Sequence, residues 1–163
     1  MTKKLNVKTI AYLGLGIALY AVLGMSIKIP IVNHISTDLG YVAFGVFLTL
    51  FGPAATIIGA IGCVITSMLV SGWFPTGWFL GQIVIGIICG FVLHSNTSKW
   101  IKAIVIILSV WLGVGLIKTV VECALYSLPF VAKIITNSIA AAADIIPMII
   151  GWYLAETRFK KIV

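Results

Sequence analysis

The chain has 163 residues, of which 61% are apolar and only 9% charged, with a formal charge of +7 and a mean hydropathy of +1.20. Soluble domains run at roughly 45–50% apolar and about 25% charged, and here the sixty residues between Asp38 and Lys99 hold no Asp, Glu, Lys or Arg. These figures exclude a soluble enzyme and an ordinary nucleic-acid binder, and at roughly 20 residues per membrane-spanning helix they leave no room for a soluble ATPase domain.

The first apolar run, 9–25, follows a basic start at Lys3, Lys4 and Lys8. It is longer than the core of a secretory signal and lacks a small-x-small site followed by a polar chain, so it is expected to stay as a membrane helix. Ala11, Gly14, Ala18 and Ala21 recur at +3, +4 and +3 along one of its faces, a stripe that allows close helix–helix contact in lipid. Such a stripe serves either packing within the bundle or docking to another membrane protein. A polar loop, SIKIPIVNHISTDLG, comes next and carries Asn33, His34 and Asp38.

Residues 40–70 are too long for one comfortable span and are broken at Gly52-Pro53, a kink or a tight turn. Charge bias favours the turn. With spans at 9–25, 40–51, 53–70, 78–94, 103–127 and 130–155, eight Lys and Arg lie on the side of the termini. Only Lys28 and Lys133 lie on the other side. Five spans would invert the bias, against the excess of Lys and Arg on the cytoplasmic side. The expected architecture is a single all-α membrane domain over 1–163, a six-helix bundle with both termini cytoplasmic.

The loop SGWFPTGW, with Trp73 and Trp78, suits either interfacial anchoring or the lid of a site open to the outside. Cys63, Cys89 and Cys123 lie within apolar runs without metal-ligand spacing and read as small core residues.

Ionisable groups within spans each cost at least ~2.5–3.5 kcal/mol at the bilayer centre and so call for a partner or a cavity. Lys118 and Glu122 are spaced i, i+4 and can pair with each other. On the last helix Lys133, Asn137, Ala140, Asp144 and Met148 fall within an arc of roughly 80°. Gln82 adds an amide at similar depth. The outer halves of the last three helices thus offer Gln82, Lys118, Glu122, Asn137 and Asp144 beneath loops bearing Trp73, Trp78 and Tyr126. This combination points to a pocket for a small polar heterocycle entered from outside, with aromatic rings to stack on it. The carboxylates favour a ligand rich in N–H donors, although Lys118 or Lys133 would serve an anion.

On these features the chain resembles the substrate-binding S components of energy-coupling factor (ECF) vitamin transporters, in the riboflavin- or hydroxymethylpyrimidine-type branch. VKTIAYLGLGIALYAVLG resembles the family's first helix, with Gly14-xxx-Ala18 where the family carries Ala-xxx-Ala. IKIPIVNHISTDLGYVAFGVFLTLFGPAATIIGAIG resembles its long first loop, second helix and Phe-Gly-Pro turn. SGWFPTGWFLGQIVIGIICG resembles its Trp-rich loop and fourth helix. The resemblance implies a high-affinity binding subunit, not an enzyme, in the bacterial cytoplasmic membrane. It also implies docking through the small face of the first helix to a transmembrane coupling protein, with two cytoplasmic ATPases hydrolysing ATP and no cofactor or metal on this chain. Ligands of that branch include riboflavin, thiamine-pyrimidine and queuosine precursors, folate and pantothenate. Two rival readings are an autonomous proton-coupled transporter, with Asp144 and Glu122 as a relay, and an integral-membrane lipid-processing enzyme. The enzyme lacks its expected cluster, since His34 and His94 fall on opposite sides. A purely structural membrane subunit would have no pocket.

Overall fold

In hydrocarbon an unpaired backbone amide has no water to turn to, so spanning segments satisfy their peptide groups internally, as an α-helix does. The computed structural model follows this rule almost throughout. It describes residues 7–26, 28–32 and 35–159. They form α1 (Val7–Ser26), an antiparallel hairpin of β1 (Lys28–Val32) and β2 (Ile35–Asp38), α2 (Gly40–Phe51), α3 (Thr56–Ser71), α4 (Thr76–His94), α5 (Lys99–Tyr126) and α6 (Phe130–Phe159).

Among the described residues, five stretches are long and apolar enough to cross a membrane: α1, Gly40–Ser71, α4, α5 and α6. Gly40–Ser71 is not one straight rod. A 3₁₀ turn at Gly52–Ala55, with Gly52 at φ 64°, follows α2. A Cβ added at Gly59 would meet the Phe44 ring, and the Tyr20 ring lies against both Gly40 and Gly62. Residues symmetric about the turn are therefore neighbours, and α3 runs back alongside α2. At 1.5 Å per residue, the 12 residues of α2 reach only about 18 Å, short of the ~30 Å hydrocarbon layer. Length alone thus merges α2 with α3.

Without a solvent-driven preference of helix for helix in lipid, close approach of backbones has to supply the contact energy. Two crossings achieve it through glycine. A Cβ on Gly151 would lie 2.1 Å from the Val42 carbonyl oxygen, where α6 crosses α2, and one on Gly81 would lie 2.5 Å from that of Gly113, where α4 crosses α5. Tyr20, Tyr41 and Phe44 fill the centre, with ring centroids 6.2–6.3 Å apart, in a core that includes Leu48, Ile58, Ile85, Val110 and Met148. Cys63 and Cys89 are buried and Cys123 half-buried, all as free thiols.

Several element boundaries differ from those read in the sequence. The segment 26–39, expected as an irregular loop, contains the β-hairpin. The Ser98 side chain accepts the Ile101 amide and starts α5 at Lys99 instead of residue 103. Lys102, expected in the inner connection, is buried within α5, where its ammonium meets Glu156 at 2.5 Å and anchors the extension of α6 to Phe159.

Candidate functional site

The hairpin, the C-terminal ends of α1, α3 and α5 and the N-terminal ends of α4 and α6 converge at one end of the bundle. There they enclose a cavity of about 340 Å³. Its walls include Asp38 from β2, Thr66 and Ser67 from α3, Trp78 from α4, Lys118 from α5, and Lys133, Asn137, Ala140 and Asp144 from α6. The α6 stripe thus faces one space, except that Met148, one turn further in, is fully buried in the core. Packed beside α6, α5 widens into a π-helical stretch at Trp111–Ile117. Such insertions recur at functional sites, and this one immediately precedes Lys118.

Beneath the cavity lies a buried polar network. The Tyr20 hydroxyl donates to Asp38 Oδ2 at 2.9 Å, and the Gly40 amide donates to Asp38 Oδ1 at 2.8 Å. Gln82 Nε2 donates to the hydroxyls of Tyr20 (3.1 Å) and Tyr41 (2.7 Å), and Trp78 Nε1 donates to Tyr41 at 3.4 Å. The Asp38 amide donates to Asp144 Oδ1 at 2.9 Å, tying the hairpin to α6. Gln82 Oε1 is buried without a partner among the described residues. Asp144 Oδ2 and Asn137 Oδ1 likewise receive no hydrogen bond from the described residues, because the contacts of these side chains run through Asp144 Oδ1 and Asn137 Nδ2.

Glu122 sits at the side of this chamber. Its Oε2 accepts from Lys133 Nζ at 3.1 Å and from Asn137 Nδ2 at 3.4 Å, while its Oε1 is 3.9 Å from Lys118 Nζ. The local i, i+4 pair with Lys118 is thus the longer of its two ion pairs. Lys118 instead stands 5.5 Å over the Trp78 ring, a cation–π contact. A second cavity of about 360 Å³ adjoins the first, sharing Ser67 and Ser71 and lined further by Trp73, Phe74, Thr76, Gly77, Glu122 and Tyr126.

The residues singled out in the sequence therefore separate into groups. Asp38, Trp78, Lys118, Asn137 and Asp144 line the first cavity, and Trp73, Glu122 and Tyr126 the second. Gln82 is not a wall residue. It is fully buried one layer below, spent on two tyrosine hydroxyls. Asn33 and His34 lie outside the described residues. On α1, Ala11, Gly14 and Ala18 face outward, and a Cβ on Gly14 would meet nothing within 4 Å. Ala21 does not share that outward face. It is 5% exposed, because the stripe curls round α1 and its last member turns into the bundle. The sequence reading missed Tyr20 and Tyr41, whose hydroxyls join the floor, and the α3 hydroxyls of Thr66, Ser67 and Ser71. A tyrosine in an apolar run carries no pattern that separates a network member from an interfacial anchor.

Long apolar helices around a polar-walled chamber define a multi-pass membrane protein with the features of a solute-handling subunit. The comparison with known proteins gives the family. Residues 4–160 match the family described as ECF-type riboflavin transporter, S component, and the chain belongs to it. That is a family of transporter subunits, not of enzymes. Relatives include a UPF0397 protein of Enterococcus faecalis, 29% identical over 185 residues that cover 99% of this chain and 97% of that protein. A UPF0397 protein of Lactococcus lactis subsp. cremoris is 28% identical over 159 residues, 85% and 82% of the two chains. The UPF0397 protein YdcD of Lactococcus lactis subsp. lactis is 33% identical over 99 residues, 58% and 53%.

Proposed function

We propose that this protein is the substrate-specific, high-affinity binding subunit of an ECF-type ABC importer in a bacterial cytoplasmic membrane. Its ligand is a small water-soluble, vitamin-like heterocycle with adjacent N–H donors, of the aminopyrimidine or deazapurine kind. The observation that carries this reading is the direction of the unused hydrogen bonds. Two of the polar α6 side chains on the cavity wall, Asp144 and Asn137, each leave an acceptor unengaged, Oδ2 and Oδ1. The donors of Tyr20, Gln82 and Trp78 are already consumed below. A ligand N–H donated to such an acceptor contributes about 0.5–1.5 kcal/mol at a neutral amide oxygen and about 1.5–3 kcal/mol at a charged carboxylate.

Six crossings with both ends inside fit the return of α3 along α2 and the eight-to-two bias of basic residues. In that orientation the cavity opens outward, and the hairpin covers it by way of the Asp38–Asp144 bond. The outward face of α1 at Ala11, Gly14 and Ala18 then suits docking to a transmembrane coupling protein, whose two ATPase partners supply the energy. Ligand reaches the cytoplasm when ATP-driven movement of the coupling protein tips the bundle.

Mass spectrometry of small molecules released from the purified protein tests the reading. A nitrogen heterocycle with two or more adjacent N–H donors supports it, and a purely anionic ligand refutes the assignment of the acceptors. Uptake that survives removal of the ATPases and collapses with a protonophore would establish instead a proton-coupled carrier using Asp144 and Glu122.

A further inference from the structure

The cavity against α6 accounts for only one of two adjoining chambers. The second, of about 360 Å³, has a different chemistry: Trp73, Phe74 and Tyr126 supply its aromatic sides, Glu122 a carboxylate, and Ser67 and Ser71 the boundary with the first. Two features hold it in place. Gly77 lets the start of α4 pack on α5, since a Cβ there would lie 2.9 Å from the Lys118 carbonyl oxygen. Glu122 is pinned by Lys133 and Asn137, both of which line the first chamber. Trp73 stays 74% exposed, its ring uncommitted to the core. An aromatic residue that served only as an interfacial anchor would not require a hydroxyl- and carboxylate-lined hollow beside it.

At about 30 Å³ per water, the first chamber, of about 340 Å³, has room for roughly eleven non-hydrogen atoms, one substituted ring. A ligand consisting of one such ring would leave the aromatic chamber unused. We infer that the second chamber is a binding subsite for an apolar or aromatic extension of the ligand, so that the substrate is two-part: a donor-edged nitrogen heterocycle held by Asp144 and Asn137, and a flat apolar portion held between Trp73 and Tyr126. The inference rests on the donor-edge reading of the first chamber given under the proposed function. It adds that selectivity among donor-edged ligands is set at the Ser71–Trp73 end of α3, away from the charged groups.

Two probes that differ only in the extension test it, 2,4-diaminopyrimidine and 2,4-diamino-5-benzylpyrimidine, titrated into the purified full chain with tryptophan fluorescence and calorimetry. The benzyl compound is expected to bind about tenfold more tightly, the gain of one aromatic contact plus the burial of its ring. Thr76→Phe, which fills the second chamber from a residue that does not line the first, is expected to remove that gain while leaving the affinity for 2,4-diaminopyrimidine within about twofold. Trp73→Ala is expected to act in the same direction without adding bulk. Unchanged single-ring affinity in each variant shows that the fold is retained. Equal affinity of the two probes for the unaltered protein overturns the subsite and leaves the donor-edge reading standing, as does an equal loss of both probes in Trp73→Ala. Binding of neither probe overturns both.

Discussion

Asp144 is the residue at which ligand binding and fold stability can be separated, because its two carboxylate oxygens have different tasks. Oδ1 accepts the Asp38 amide at 2.9 Å and so holds the hairpin onto α6, whereas Oδ2 has no partner among the described residues and belongs to the cavity wall. Asp144→Asn keeps an oxygen for the amide and replaces the free acceptor with an NH₂ donor. A hydrogen bond to a charged group contributes about 1.5–3 kcal/mol, so affinity for a donor-edged probe such as 2,4-diaminopyrimidine should fall about 10- to 150-fold. Thermal stability in detergent should change little. Asp144→Ala removes both oxygens. It should lose the same affinity and, by taking away the acceptor that the Asp38 amide uses, a further 1–3 kcal/mol or so of stability, equivalent to a melting temperature a few degrees lower. The measurements are a calorimetric titration and a melting curve on each variant. The reasoning fails if Asp144→Asn binds like the unaltered protein while Asp144→Ala does not, for Asp144 would then act only as the fastening of the hairpin.

Other expectations concern the rest of the bundle. Glu156→Gln removes the carboxylate facing Lys102, whose side chain is 4% exposed; a buried ion pair broken on one side costs roughly 3–5 kcal/mol, and adding Lys102→Met should restore part of the lost melting temperature. Gly151→Ala places a Cβ 2.1 Å from the Val42 carbonyl oxygen and should destabilise by about 1–3 kcal/mol as α2 and α6 are forced apart; an unchanged melting curve would contradict the close crossing. Gly14→Leu points into open space, so ligand binding to the isolated protein should be intact while uptake by the assembled transporter is lost. Equal loss of binding and uptake would show that the outward face of α1 is not a separate docking surface.

How far the sequence disclosed this arrangement depends on how strongly lipid penalises each residue. The α6 stripe was legible because a Lys, an Asn and an Asp at helical spacing in an apolar run have no inexpensive alternative to facing a common interior space. Lys133, Asn137, Ala140 and Asp144 do so. The Glu122 partnership was half legible. The i, i+4 rule offers Lys118 as its neighbour, but the closer cation, Lys133, comes from the next helix, whose relative rotation no local pattern encodes. The floor was illegible for the same reason: Gln82 meets Tyr20 and Tyr41 across 62 and 41 residues of sequence. The hairpin escaped notice because an isolated two-stranded ribbon is marginal on its own. It is fastened by Asp38 to Tyr20 and to Asp144, both remote in sequence. The turn at Gly52-Pro53 was visible as a break, and charge bias favoured a return over a kink; Phe44 and Tyr20 packing against glycines of α3 bring α3 back alongside α2.

The floor also argues for what the chamber is built to hold. Three donors at its base are directed at protein acceptors: Tyr20 to Asp38, Gln82 to both tyrosines, Trp78 to Tyr41. The cations at the rim are likewise engaged, Lys133 with Glu122 and Lys118 with the Trp78 face. Deeper along the α6 wall than Lys133, Asp144 and Asn137 present acceptor capacity. The committed donors also fix the Asp38 carboxylate, and through the Asp38 amide the Asp144 carboxylate, before any ligand arrives. Ordering these groups then costs little at the moment of binding, which is where a preorganised site gains its affinity.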